Sequence, residues 1–317
     1  MALRALRLSV DAPDLGGLPW GVAVVAAGET STTSHLLPDD AEVEIGSVSK
    51  GVTGLLFRDA VERGEVAPED LLQQHLPLAG CPAGGVTLGS LAQHRSGLPR
   101  LPRIPGMAGR SWRLWRHAAN PYDDTLAELL EQTRATTVGR ARASYSNLGF
   151  ELLGHAVAAA AGTTYAGLVR DRIAVPLGLD SWYVPATPAE LSPRALAGTT
   201  RRGRAAEPWT GEGLGPAGGI RSTLGDLAAF AAALLDGSAP GVAALEPTAS
   251  FAGPAVRIGD AWLTTTVRGR AITWHNGGTG GWRSFVGVDR DAGRAAVVVR
   301  ATTRSVDRVG MDLLAPR

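Results

Sequence analysis

Lysine is nearly absent from this chain. Of its 31 basic residues, 30 are arginine and one is lysine, Lys50. Cysteine is as scarce. The single thiol, Cys81, excludes an intrachain disulfide and any cage of cysteine ligands around a metal. No sign of charge predominates: 30 acidic residues leave a net charge of +1, which excludes a strong pull toward nucleic acid or an anionic membrane. Long apolar runs are missing too. The longest, residues 227–235, falls far short of the ~18 needed to cross a bilayer. Residues 1–17 carry arginines but neither an apolar core nor a small-residue cleavage site, so a cytoplasmic start is expected rather than a signal peptide. What is present is an ordinary globular composition, 44% apolar and 19% charged over 317 residues. At roughly 150 residues per domain, that length suggests one large domain or two intimate lobes.

The lone lysine is informative because arginine and lysine are interchangeable on a solvated surface but not where a proton must leave. Arginine stays charged in proteins, whereas a desolvated lysine can be tuned toward neutral. Lys50 lies in Gly46-Ser47-Val48-Ser49-Lys50-Gly51-Val52-Thr53-Gly54-Leu55-Leu56. Val52, Leu55, Leu56 and Ala60 recur at helical spacing, and Gly64 is the stop. Ser47 then heads the helix with Lys50 three residues on, and side chains at i and i+3 share a face. A serine hydroxyl is a poor nucleophile until a neighbouring base takes its proton. The serine's own backbone N–H, at the positive end of the helix, can also stabilise an oxyanion. Ser49 is expected to point elsewhere.

Along the chain, residues 19–25 and 41–45 read as strands. Helical patterns follow at 68–74, 88–94, 125–132, 150–161 and 165–175, and again at 224–235, where Thr223-x-x-Asp226 makes a capping pattern. Strands return at 261–267, 271–274, 284–289 and 295–301, and a short helix closes the chain at 306–314. Short gaps between the late strands predict a mostly antiparallel sheet, an α+β arrangement rather than a doubly wound one. Residues 100–124 and 199–215 read as loops.

Two further polar clusters stand out. In Ser144-Tyr145-Ser146-Asn147, Tyr145 and Asn147 are two apart just before a helix, so both can project from a loop into a cleft. A phenol relays protons, and an amide offers both donor and acceptor. The alternative is that Ser146 or Asn147 is simply a helix N-cap. The second cluster, Trp274-His275-Asn276-Gly277-Gly278-Thr279-Gly280-Gly281-Trp282, lies between two candidate strands. Its glycines allow close approach of a ligand or of another backbone. His275 there is an anchor, a proton relay or an ordinary strand-end residue.

Ser47-x-x-Lys50, Tyr145-x-Asn147 and His275-x-Gly277, in that order, resemble the three motifs of the penicillin-recognising serine hydrolases. More narrowly they resemble class C β-lactamases, D-alanyl-D-alanine peptidases and the related esterases and acyltransferases. Residues 91–99 (Leu-Ala-Gln-His-Arg-Ser-Gly-Leu-Pro), 147–154 and 218–227 resemble supporting phrases of that family, so the likeness runs from about residue 20 to 300. The resemblance implies an antiparallel sheet flanked by helices plus an all-helical lobe, with the active site between them. The chain would be a single catalytic domain, with residues 1–60 and 205–317 forming the α/β lobe and 61–204 the helical lobe. Ser47 would be the acylated nucleophile, Lys50 its general base and Tyr145 the proton shuttle to the leaving group. Asn147 would hold the acyl side chain. His275, Gly277 and Gly278 would line the substrate, with the backbone N–H groups of Ser47 and Gly278 as the oxyanion hole.

One departure affects substrate choice. The family's lactamases and peptidases usually carry lysine where this chain has His275, which near its ordinary pKa of ~6.5 is mostly neutral at pH 7. A substrate carboxylate then loses its anchor unless Arg283 or another arginine substitutes. This points to an intracellular ester, amide or acyl-transfer substrate. The alternatives are an acyltransferase or cyclase of specialised metabolism, then a β-lactamase or D-Ala-D-Ala peptidase, then a catalytically silent binding or sensor protein. Trp112, Trp115 and Tyr122 either line an acyl pocket or anchor their own loop. The expected partner is a small-molecule acyl substrate, with no nucleic acid, membrane, metal or cofactor. The histidines show no metal-ligand spacing, and the Gly213–Gly218 run lacks the preceding strand of a dinucleotide fingerprint. Oligomeric state is not legible.

Overall fold

A computed structural model describes residues 15–102, 109, 112–114, 116, 118–200 and 203–316. Residues 1–14, Trp115, His117, Arg201 and Arg202 therefore lie outside the described residues. An eight-stranded antiparallel sheet forms the frame, built from β1 (Trp20–Ala26), β2 (Glu29–His35), β5 (Ala249–Ala252), β6 (Val256–Ile258), β7 (Leu263–Val267), β8 (Arg270–Gly278), β9 (Arg283–Asp289) and β10 (Arg294–Arg300). Its strand order is β2-β1-β10-β9-β8-β7-β6-β5. The short strands β3 (Val43–Glu44) and β4 (Arg221–Ser222) pair separately.

Period-two alternation builds both faces of the sheet. Ala295, Val297 and Val299 of β10 face the large core with Val286 and Val288 of β9. Ala296 and Val298 face the opposite way with Phe285. The large core is covered by α1 (Val48–Glu62), α5 (Asn147–Ala160) and α8 (Leu224–Asp236). The terminal helix α9 (Asp307–Leu314) closes the second face through Leu314. Between α1 and α8 lie α2 (Leu72–His75), α3 (Leu88–Ala92), α4 (Leu126–Arg134), α6 (Tyr165–Val169) and α7 (Gly215–Gly218). The α+β, antiparallel class expected from the sequence is what the structure has.

Three local expectations need correction. Strand β2 is not visible as a strand pattern, because its side chains (Glu-Thr-Ser-Thr-Thr-Ser-His) form an exposed edge with no apolar face. It is specified by the turn before it, where Ala27 (φ 52°) and Gly28 (φ 76°) take the left-handed conformation of a two-residue hairpin. His275, Asn276, Gly277 and Gly278 of the third motif lie inside β8, and only Thr279 to Trp282 lie between it and β9. Trp112, Arg113 and Leu114 are helical within a stretch that reads as loop.

Candidate active site

Ser47 occupies the N-cap position of α1 without a side-chain capping bond, and Val48, Val52, Leu55, Leu56 and Ala60 bury the helix in the core. The following turn brings Lys50 back under the serine. Its Nζ lies 3.2 Å from Ser47 Oγ and donates to the carbonyl oxygen of Ala217 on α7 at 2.5 Å. Lys50 is fully buried, and its Nζ also lies 5.0 Å from the centroid of the Tyr145 ring. Ser49 points away, its Oγ accepting from the Ile220 amide at 3.2 Å. A buried amine this close to a serine hydroxyl can take its proton as the oxygen attacks.

The second motif meets the first at the head of α5. Ser146 is the N-cap, its Oγ accepting from the Gly149 amide at 2.9 Å, while Asn147 is the first residue of the helix itself. Asn147 is thus held by helix geometry, not by a loop. Its Nδ2 donates to the Tyr122 hydroxyl at 2.9 Å, and its buried Oδ1 has no partner among the described residues. The Tyr122 ring packs edge-on against Trp209 at 4.8 Å. Burial pushes the Tyr122 phenol up, and the nearby Glu151 adds to the effect. Tyr122 is therefore tied to Asn147 rather than only to its own loop. Trp112 is exposed on its helical turn, and Trp115 lies outside the described residues.

His94 supports Tyr145. Its ring sits 4.5 Å from the tyrosine ring and 4.6 Å from Phe150. Nδ1 accepts from the Ser146 amide at 3.1 Å, so a neutral ring carries its proton on Nε2. Burial holds the imidazole well below its ordinary pKa, with Lys50 and then His275 adding to the effect.

The third motif reaches the serine through glycine. A Cβ on Gly277 would strike the Ile45 carbonyl oxygen at 2.0 Å, and one on Gly46 would come within 2.6 Å of Gly278 N. Only a bare strand can lie this close to the chain just before Ser47, and that approach puts the Gly278 amide beside the nucleophile's backbone. His275 is on the same face, and its Nδ1–H donates to the Asn276 carbonyl oxygen at 2.7 Å. Nε2 then carries a lone pair. Burial, then the charge of Lys50, lowers the His275 pKa to about 4, so the ring is uncharged at neutral pH. Arg283 does not replace the missing cation, because its Nη1 donates to the carbonyl oxygens of Thr279 and Trp282, both at 2.8 Å.

A buried network holds this corner. Glu44 accepts from the Thr279 hydroxyl, from the Trp209 amide at 2.7 Å and from Arg221 at 3.3 Å. Desolvation raises the Glu44 pKa, and Arg221 opposes the rise. Glu151, one turn after Asn147, is buried beside a cavity of about 20 Å³, room for one water. Desolvation raises its pKa to about 8; Lys50 works against the rise and Asp124 with it. Trp209, Glu44 and Glu151 are not marked by any local pattern in the sequence. His94 does carry a signal, as the histidine of His94-Arg95-Ser96-Gly97-Leu98-Pro99.

Comparison with known proteins bears on the family and the fold. The Beta-lactamase family model matches residues 16–315. The D-alanyl-D-alanine-carboxypeptidase/endopeptidase AmpH of Escherichia coli (strain K12) is 31% identical over 209 residues, covering 63% of this chain and 51% of that protein. The unguisins hydrolase ungD' of Aspergillus campestris is 25% identical over 333 residues, covering 96% of this chain and 59% of the relative. The chain thus spans about half the length of the AmpH it matches. Among solved structures, a class C beta lactamase from Rhodobacter sphaeroides superposes with a TM-score of 0.75 at 20% identity, over 92% of each chain.

Proposed function

The chain belongs to the β-lactamase family of serine hydrolases, and on that premise we propose that it hydrolyses an ester or amide through an acyl-enzyme on Ser47. The observation that carries this reading is the 3.2 Å contact between Ser47 Oγ and the buried Nζ of the chain's only lysine. As Ser47 Oγ attacks the carbonyl carbon, Lys50 accepts the hydroxyl proton. The oxyanion faces the backbone N–H groups of Ser47 and Gly278, dipoles fixed before reaction. Tyr145, against which Lys50 lies, passes the proton to the departing alcohol or amine. A water then attacks the acyl carbon, gives up its proton to the same pair and releases Ser47.

The side chains around Ser47 suit a neutral acyl donor on the β8 side. Asn147 Oδ1 is an unfilled acceptor for a substrate N–H, and its Nδ2 is already held by Tyr122. His275 is uncharged at neutral pH and Arg283 is committed to backbone carbonyls, so a carboxylate finds no anchor along that strand. Ester or amide hydrolysis is favoured over penicillin hydrolysis for that reason. The likeness to AmpH supports a peptide-like amide as the second choice.

The test is the release of p-nitrophenol from a small acyl ester and of p-nitroaniline from the matched anilide. The wild type is expected to give a burst of one equivalent per protein, absent in Ser47→Ala. Equal rates for the two proteins would overturn the reading.

A further inference from the structure

Most charged corners of this fold are balanced. Arg58 pairs with Asp260 at 2.5 Å, Arg172 with Glu65 at 2.7 Å and Arg221 with Glu44 at 3.3 Å. The rim beside Tyr145 is different. Arg100, Arg140 and Arg142 make no ion pair and no side-chain hydrogen bond among the described residues.

These three are gathered by the backbone. Arg140 and Arg142 line a cleft of about 190 Å³ whose other walls include Thr137, Ser144, Gly97 and Gly139. The walls are fixed: the Gly139 amide donates to the Gly97 carbonyl at 2.9 Å, and the Ser144 amide to the His94 carbonyl at 2.9 Å. Gly97 takes a φ of +80°, and a Cβ there would strike the Gly139 carbonyl oxygen at 2.3 Å. The lining also includes Pro99, the residue before Arg100, and Ser144 is the residue before Tyr145. Arg100 is pinned in turn, since its carbonyl oxygen accepts from the Asn147 and Leu148 amides at 3.0 and 3.3 Å. Its guanidinium carbon lies 5.5 Å from the Tyr145 ring centroid. Two guanidiniums, two hydroxyls and a rigid glycine wall make a polar cleft with positive charge and no acid inside it. Planar guanidinium forks match a carboxylate, bidentate in the best case.

We propose that this cleft is an anion subsite that takes a carboxylate carried on one arm of the acyl substrate, held by Arg140 and Arg142 with Arg100 at the entrance beside Tyr145. The assignment rests on Ser47 being the site of acylation, because that is what makes the neighbouring cleft part of the substrate's path. The substrate class becomes an ester or amide that is neutral along β8 and anionic at the far end of the arm that passes Tyr145.

The experiment uses two probes, the monophenyl ester of a straight dicarboxylic acid and its neutral methyl-capped counterpart. Binding is measured on Ser47→Ala protein, and kcat/KM on the wild type. The anionic ester is expected to bind about tenfold tighter than the neutral one, a preference that fades as salt rises from about 0.05 to about 0.5 M. In the Arg140→Gln/Arg142→Gln variant the ratio of anionic to neutral binding should approach one, and in Arg140→Lys/Arg142→Lys it should be partly kept. Equal binding of both esters, or a ratio unmoved by the glutamine pair, would overturn the subsite. Inorganic phosphate that binds as tightly as the anionic ester and displaces it would mark a free-anion site and overturn the substrate-borne assignment. If Ser47→Ala shows the preference while the wild type hydrolyses neither ester, the nucleophile reading fails and the subsite stands.

Discussion

Gly46 and Gly278 touch backbone to backbone. Gly46 has a φ of +51°, and a Cβ added to it would sit 2.6 Å from the Gly278 nitrogen. This contact sets the distance between the serine and the strand that faces it. Gly46→Ala is therefore expected to push β8 away from Ser47 and to misplace the Gly278 amide. Loss of an oxyanion donor costs about 10²- to 10³-fold in kcat. Stability should fall by about 1 kcal/mol or more from the left-handed backbone alone. Steady-state kinetics beside a chemical melt checks both; unchanged kcat would remove Gly278 from the oxyanion hole.

Lys50→Arg keeps a long basic side chain but removes the base. Arginine holds its proton, so acylation should fall by about 10³-fold, in the range of general-base contributions. Stopped-flow acylation by an activated ester reads this step directly, with the melting temperature reporting whether the larger side chain disturbs the core. Acylation at the wild-type rate would remove Lys50 from the base role.

His275 makes the fold sensitive to acid. Its pKa is lowered to about 4 in the folded chain, whereas an unfolded histidine titrates near ~6.5. The stability it contributes is complete above ~6.5 and is lost as pH falls through about 4. His275→Gln should reduce the drop in unfolding free energy between pH 7 and pH 4.5 by about 2 kcal/mol. Urea melts at the two pH values measure it, and an unaltered drop would mean that His275 is not the group being charged.

Glu151 acts in the opposite direction. Its pKa is raised to about 8, so below that pH the buried carboxyl is protonated in the folded chain and ionised in the unfolded one above its ordinary 4.5. Its contribution is present below 4.5 and is lost as pH rises through about 8. The stability of Glu151→Gln relative to wild type should therefore improve from pH 5 to pH 9, by about 4 kcal/mol. A constant difference across that range would show that Glu151 is ionised throughout.

What could be read from the sequence was mostly local. Ser47 and Lys50 are three residues apart, so helical periodicity alone predicts their contact, and the 3.2 Å separation follows from one turn of α1. Tyr145 and Asn147 were legible as a pair, but not the division between them, in which Ser146 caps the helix and Asn147 begins it. Contacts between distant parts of the chain left no pattern to find. Trp209 against Tyr122, Thr279 on Glu44 and the Ser146 amide on His94 join residues far apart in sequence. The polar edge strand β2 leaves no pattern because it buries no face. The sequence leaves Arg283 open as an anchor, whereas its guanidinium donates to two backbone carbonyl oxygens.

The most direct test is the intact mass of wild type and Ser47→Ala after incubation with a fluorophosphonate. An activated Ser47 gives a single phosphonyl adduct on the wild type and none on the alanine variant. An equal adduct on both proteins, or none on the wild type, would contradict a nucleophilic Ser47 activated by Lys50.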